Sequence, residues 1–160
     1  ATVDVGDTFT IAVSIDAAAD LSALQFDLGF GPSFVQADGS GASLGPLLPA
    51  DWFLASPGAV DNTLGVVLGV AAFGSPSQGG GALAEISFTA QSAGITTLHL
   101  SNVFLNLSDS GFTAVDGTVC VRATAGDCGH VVPEPGVLAL LLPAAAALMT
   151  SRSRRKAGSA

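Results

Sequence analysis

Three stretches of this chain alternate apolar and small or polar residues with a period of two. They are Phe9-Thr10-Ile11-Ala12-Val13-Ser14-Ile15, Leu24-Gln25-Phe26-Asp27-Leu28-Gly29-Phe30 and Leu83-Ala84-Glu85-Ile86-Ser87-Phe88-Thr89-Ala90. That period puts every second side chain on one face of a strand, so each stretch reads as a strand with one buried face. Glycine, proline, aspartate and serine punctuate the intervals, as turns require. Residues 16–20 read as a small acidic turn, and Gly31-Pro32 closes the second strand because proline cannot donate to a ladder. Residues 34–36 predict a short strand and 38–49 a loop. The run 64–73 is nearly all apolar and carries Val66, Val67 and Val70, and 75–81 reads as a turn. Residues 95–100 and 103–107 predict two further strands, and Thr118-Val119-Cys120-Val121 the last. About eight strands at short spacing, with no amphipathic helix in the body, predict two antiparallel sheets packed face to face. The expected class is all-β, a jelly-roll type sandwich.

Charge divides the chain into two parts. Up to His130 there are 12 acidic residues and one basic residue, Arg122, a net of −11; the remainder carries +3, and the whole chain −8. A body this acidic repels phosphate backbones, which excludes nucleic acid as a partner. Solubility, or attraction to cations and cationic partners, accounts for such acidity.

The body resembles the cohesin family. The residues that carry the likeness are Val5-Gly6-Asp7-Thr8-Phe9-Thr10-Ile11-Ala12-Val13, Leu24 through Pro32, and Gly81-Ala82-Leu83-Ala84-Glu85-Ile86-Ser87-Phe88. Leu100-Ser101-Asn102-Val103 and Asp116-Gly117-Thr118-Val119 complete it. The resemblance implies a nine-stranded jelly roll over residues 1–122 and a role in binding dockerin modules on other proteins. It places the positions that some cohesins use against dockerin near Ala23 and Gln25, neither of which is charged. Gly31 stands where the family usually has aspartate.

The end of the chain resembles a PEP-CTERM sorting signal, spanning 132–156. Pro133-Glu134-Pro135 precedes an apolar run at 136–150, and Arg152, Arg154, Arg155 and Lys156 follow. The resemblance implies an exosortase-type processing protease as partner and a Gram-negative source. The basic cluster would hold the chain end in the cytoplasm, leaving the acidic body outside. Fifteen residues make about 22 Å of helix against a hydrocarbon core of about 30 Å. The run therefore reads as a short transmembrane helix, a transient anchor at the inner membrane, with the cell surface or extracellular matrix as destination. A permanent anchor is the rival reading. Export implies a signal peptide removed from, or lying outside, the sequence that starts at Ala1.

Between body and tail, 123–131 reads as a linker. Cys120 and Cys128 are the only cysteines. In an oxidising compartment they are expected to pair, stabilising by roughly 2.5 kcal/mol in the chain-entropy model; two free thiols are the alternative. Two such ligands do not make a zinc site, and no metal or other cofactor is expected.

Catalytic chemistry has little to stand on. His99 in Leu98-His99-Leu100 reads as an exposed strand residue, and His130 falls in the linker. No serine or cysteine has a base suggested by spacing. Gly79-Gly80-Gly81 lacks the lysine of a phosphate loop. Asp109 and Asp116 read as turn residues or, less simply, as weak calcium ligands. Asn106-Leu107-Ser108 fits the glycosylation sequon. Trp52 and Phe53 are candidates for sugar stacking, or else they plug the end of the sandwich. The expectation is a non-enzymatic exported interaction module that contacts surface or matrix proteins or polysaccharide. The alternatives are a carbohydrate-binding module and a dockerin-binding scaffold module in polysaccharide degradation.

Overall fold

The computed structural model describes residues 1–108 and 111–123, and every described element is a strand. The order is β1 Thr2–Asp4, β2 Thr8–Gly29, β3 Val35–Leu44, β4 Phe53–Asp61, β5 Val66–Ala90, β6 Gly94–Leu105 and β7 Gly117–Arg122. Cys128, residues 124–131 of the expected 123–131 linker (with His130), Asp109 and the whole sorting segment with its expected helix lie outside the described residues. No helix among the described residues is long and apolar enough to cross a membrane.

Two long strands make the fold. The first half of β2, residues 8–15, pairs antiparallel with the second half of β5, residues 81–89; the second half of β2, 21–29, pairs with the first half of β5, 66–77. β3 adds to the far side of β5 at 84–90, and β4 pairs with β5 at 66–73. β6 adds to the second half of β2 and also pairs with β7, and β7 takes β1 in parallel. With β2 and β5 each counted as two, the seven elements become nine strand segments.

Three expectations need correction here. Residues 16–20 and 75–81 were expected to be turns, yet both stay in strand and face each other, with Ala18 opposite Gly79 and Leu21 opposite Ser77. Their small residues and the left-handed Asp20 (φ 57°) let two continuous strands bend together from one pairing region into the next. Residues 38–44 were expected in a loop, but β3 runs on to Leu44. A bulge between Ala37 and Ala42 absorbs the glycines. Gly41 (φ 73°) sits where a Cβ would lie 2.3 Å from the Pro57 carbonyl, so only glycine fits. Finally, 95–100 and 103–105 form one strand, β6, kinked at Asn102 (φ 48°), while Asn106 and Leu107 turn away from it.

The core follows the alternation. Leu24, Phe26, Leu28 and Phe30 are buried, as are Ala84, Ile86, Phe88 and Ala90; Leu83 is buried too, where the register with β2 slips. Phe88 is its centre: Phe9 stacks on it at 5.9 Å and Phe30 meets it edge-on at 5.3 Å. Val67, Val70, Val119 and Val121 close the packing. Each such side chain contributes about 1.5–3 kcal/mol on burial.

Candidate functional site

The sheet β4–β5–β2–β6 turns one face to the core and the other to solvent. Across its solvent face run Phe53 opposite Phe73 and Phe73 opposite Ala23. The next row places Ala71 opposite Gln25 and Gln25 opposite Phe104. Phe53 and Phe73 are 59% and 53% exposed, and their rings lie 5.5 Å apart at a tilt of 55°. Leu68 is also exposed on this face, opposite the exposed Ala59. A patch of large apolar side chains left in water is the informative kind of exposure.

One carboxylate stiffens this face. The β2–β5 register slips between Phe26 and Leu28, which removes the Gly69 N–H from the ladder. Asp27 fills the gap: its Oδ1 accepts from the Gly69 N–H at 2.6 Å, and its Oδ2 accepts from the Asn102 amide at 2.6 Å. The kink in β6 thus presents Asn102 to Asp27, tying three strands across the sheet. At the edge, Asn106 (φ 52°) does similar work. Its Oδ1 accepts from the Ser22 and Ala23 N–H groups at 2.7 and 3.2 Å, and its Nδ2 donates to the Asp20 carbonyl at 3.0 Å. The sequon asparagine is therefore already engaged by its own fold.

Trp52 is not where sugar stacking needs it. It is 5% exposed, and its indole N–H donates to the Ser75 carbonyl at 2.7 Å. Gly74 is its floor, since a Cβ there would come within 2.4 Å of the ring. The Trp52–Phe53 strip is corrected accordingly: neighbours on a strand point to opposite faces, so Phe53 is outside with Phe73 while Trp52 plugs the sandwich. Asp51 accepts from the Ser75 hydroxyl beside it, and that hydrogen bond holds its carboxyl below the usual carboxylate range.

His99 is exposed as expected, but it has a partner. Its Nδ1 lies 2.9 Å from Asp116, whose carboxyl also accepts from the Leu100 N–H at 3.3 Å. The His99 hydrogen bond, then the backbone one, lower the Asp116 carboxyl below its ordinary value. No cluster of three or more metal-ligating side chains exists among the described residues. Cys120 is half-buried on β7, and its expected partner lies outside the described residues.

Sequence reasoning found Ala23, Gln25 and Phe53 and missed Phe73, Leu68, Phe104 and the Asp27–Asn102 brace. Phe73 and Leu68 sit in the apolar run that read as core. Only the pairing of β4 with β5 shows which of its side chains face out.

The class these elements define is a β-sandwich with an exposed apolar sheet face. The cohesin domain model matches residues 1–124, and the chain belongs to the cohesin family. Cohesin domains are non-catalytic interaction modules that bind dockerin partners, typically outside the cell or at its surface. The fold is similar to the third cohesin of ScaC from Acetivibrio cellulolyticus, solved in complex with the ScaB dockerin, at 15% identity and a TM-score of 0.59 over 76% of this chain and 94% of that one. It is likewise similar to a non-cellulosomal cohesin from the archaeon Archaeoglobus fulgidus, at 12% identity and 0.56 over 76% and 86%. A third likeness is to CaCohA2 of Clostridium acetobutylicum, at 18% identity and 0.56 over 80% and 90%. No curated protein matches the chain.

Proposed function

We propose that this chain is an exported cohesin module that captures a dockerin-type protein on the solvent face of β4–β5–β2–β6. The observation that carries this reading is the exposed Phe53–Phe73–Leu68 patch on the sheet that also holds Ala23 and Gln25, the positions the family resemblance points to. An apolar partner side chain seated on the two rings would supply the anchor, and the braced sheet would supply a surface that need not reorganise. The 55° tilt between the rings offers one flat face at a time, which favours a protein side chain over a run of sugar rings.

The tail would deliver the module. Pro133-Glu134-Pro135, the apolar run and the basic end are read as an exosortase-processed signal. The inner membrane then serves as a temporary hold and the cell surface or matrix of a Gram-negative bacterium as destination. The Cys120–Cys128 bridge belongs to that oxidising setting.

Two experiments test the reading. Immobilised module is offered dockerin modules and, separately, matrix polysaccharide; Phe73→Asp should abolish dockerin capture. Retention of polysaccharide alone would replace the protein partner with a sugar. Removal of residues 132–160 should change where the protein accumulates in the cell, and unchanged localisation would sink the sorting role.

A further inference from the structure

β3, the second half of β5 and the first half of β2 lie side by side. Their alternation sends Val35, Ala37, Ile86, Phe88, Phe9 and Ile11 toward the core, and the positions between these face solvent. The register sets the outward positions in rows. Thr89 stands between Thr8 on one side and Gln36 on the other, and in the next row Thr10 stands opposite Ser87. Strands lie about 4.8 Å apart, so each row repeats hydroxyl or amide groups at that spacing. β3 then leaves the ladder through its bulge between Ala37 and Ala42. Where it leaves there is a recess of about 330 Å³, whose polar lining is Thr8, Gln36, Asp38, Ser87, Thr89 and Gln91. That volume falls within the range of small-molecule sites, about 300–1,000 Å³.

The lining has one consistent chemistry. Thr8, Gln36, Ser87, Thr89 and Gln91 carry groups that both donate and accept, and none of the five has a side-chain hydrogen bond among the described residues. Comparable side chains elsewhere are spent on the fold: the Ser77 hydroxyl donates to the Leu47 carbonyl at 3.0 Å, and the Thr96 hydroxyl accepts from the Gly31 N–H at 2.7 Å. Asp38 is the one charged residue in the lining. None of the exposed large apolar side chains falls on these rows.

Few ligands match such a surface. An anion would meet the Asp38 carboxylate and a strongly acidic body. A metal ion would find no cluster of three or more ligating side chains among the described residues. A folded protein partner needs an apolar or aromatic anchor, and the rows offer none. A neutral sugar chain fits, because its hydroxyls also donate and accept at once and its rings repeat at close to the strand spacing. We propose that these rows and the recess form a second binding site, which takes a neutral polysaccharide. Ser87, Thr89, Gln36 and Gln91 meet sugar hydroxyls in the recess, and the sugar chain continues across the threonine rows. With no aromatic ring to stack on, each sugar contributes little, and a long chain binds better than its monomer. The site shares no residue with the Phe53–Phe73 surface and stands or falls independently of it.

The test uses the whole chain in amide NMR, with dextran, galactomannan and xyloglucan as neutral probes. At least one should shift the amides of Gln36, Ser87, Thr89 and Gln91 and leave those of Phe53 and Phe73 unmoved. Thr89→Val keeps the shape and removes the hydroxyl; it should weaken that binding about two- to tenfold, the range for one lost hydrogen bond. Carboxymethylating the polymer that binds should weaken it as well. No shift with any of the three probes overturns the proposal. So do equal shifts with poly(vinyl alcohol), a hydroxyl polymer without sugar rings, tighter binding of the carboxymethylated polymer, or unchanged affinity in Thr89→Val. If that variant fails to fold, the comparison of probes on the natural chain decides.

Discussion

Residues 9–15 and 24–30 are written in nearly the same pattern and end in different surroundings. Leu24, Phe26, Leu28 and Phe30 are buried, the least covered at 7% exposure. Phe9, Ile11, Val13 and Ile15 also turn toward the core, yet all four stay half-exposed. The difference lies in the neighbours. Among the described residues, the second half of β2 has β5 on one side and β6 on the other, while the first half pairs with β5 alone. Alternation decides which way a side chain points, and the number of strands beside it decides how far it leaves water.

The largest expected effect contrasts two phenylalanines on the same strand. Phe26→Ala should destabilise by roughly 3–5 kcal/mol, as a full core truncation does. Phe9→Ala should cost about 1–2 kcal/mol, because only part of its surface is covered. Chemical denaturation of both variants measures this, and equal losses would mean that Phe9 is as fully covered in solution as Phe26. Next comes the brace on the closed half. Asp27→Ala strands the Gly69 N–H and the Asn102 amide and should lose about 1–3 kcal/mol, with faster amide exchange around Gly69. A stability unchanged within error would show the brace to be dispensable.

Phe73→Asp should shift stability by no more than about 0.5 kcal/mol, as for an exposed position, while partner capture is lost. A large drop in stability would instead make Phe73 part of the core. The smallest effect concerns pH at the His99–Asp116 contact beside β6. The Asp116 carboxyl is depressed in the folded chain by His99 and the Leu100 N–H. A depressed carboxylate contributes stability that is present above its unfolded value and lost as pH falls through the folded one. The contact should therefore hold at neutral pH and release only below the usual carboxylate range. Carbon NMR titration of Asp116 reads this directly, and His99→Ala should raise the midpoint toward the ordinary value; an unmoved midpoint would break the link.

Much of the fold was legible. The inward faces of 9–15, 24–30 and 83–90 are where alternation places them, and β7 covers its predicted residues. The misreadings share a cause. Residues 16–20, 38–44 and 75–81 carry turn composition, but small residues and glycine also let a paired strand bend or bulge, and composition alone does not separate the two. The candidate site was half legible. Phe53 was named, but with Trp52, its neighbour in sequence, rather than with Phe73, its neighbour across the sheet.

The sequence by itself determined the class of fold, the family, the acidity of the body and the order of segments at its end. These depend on local periodicity, short motifs and counting. Only the tertiary structure decided that Trp52 is core and Phe73 is surface, and that Asp27 meets both Gly69 and Asn102. Those facts depend on which strands lie side by side and in what register, and pairing between segments far apart in the chain leaves no local trace in either one.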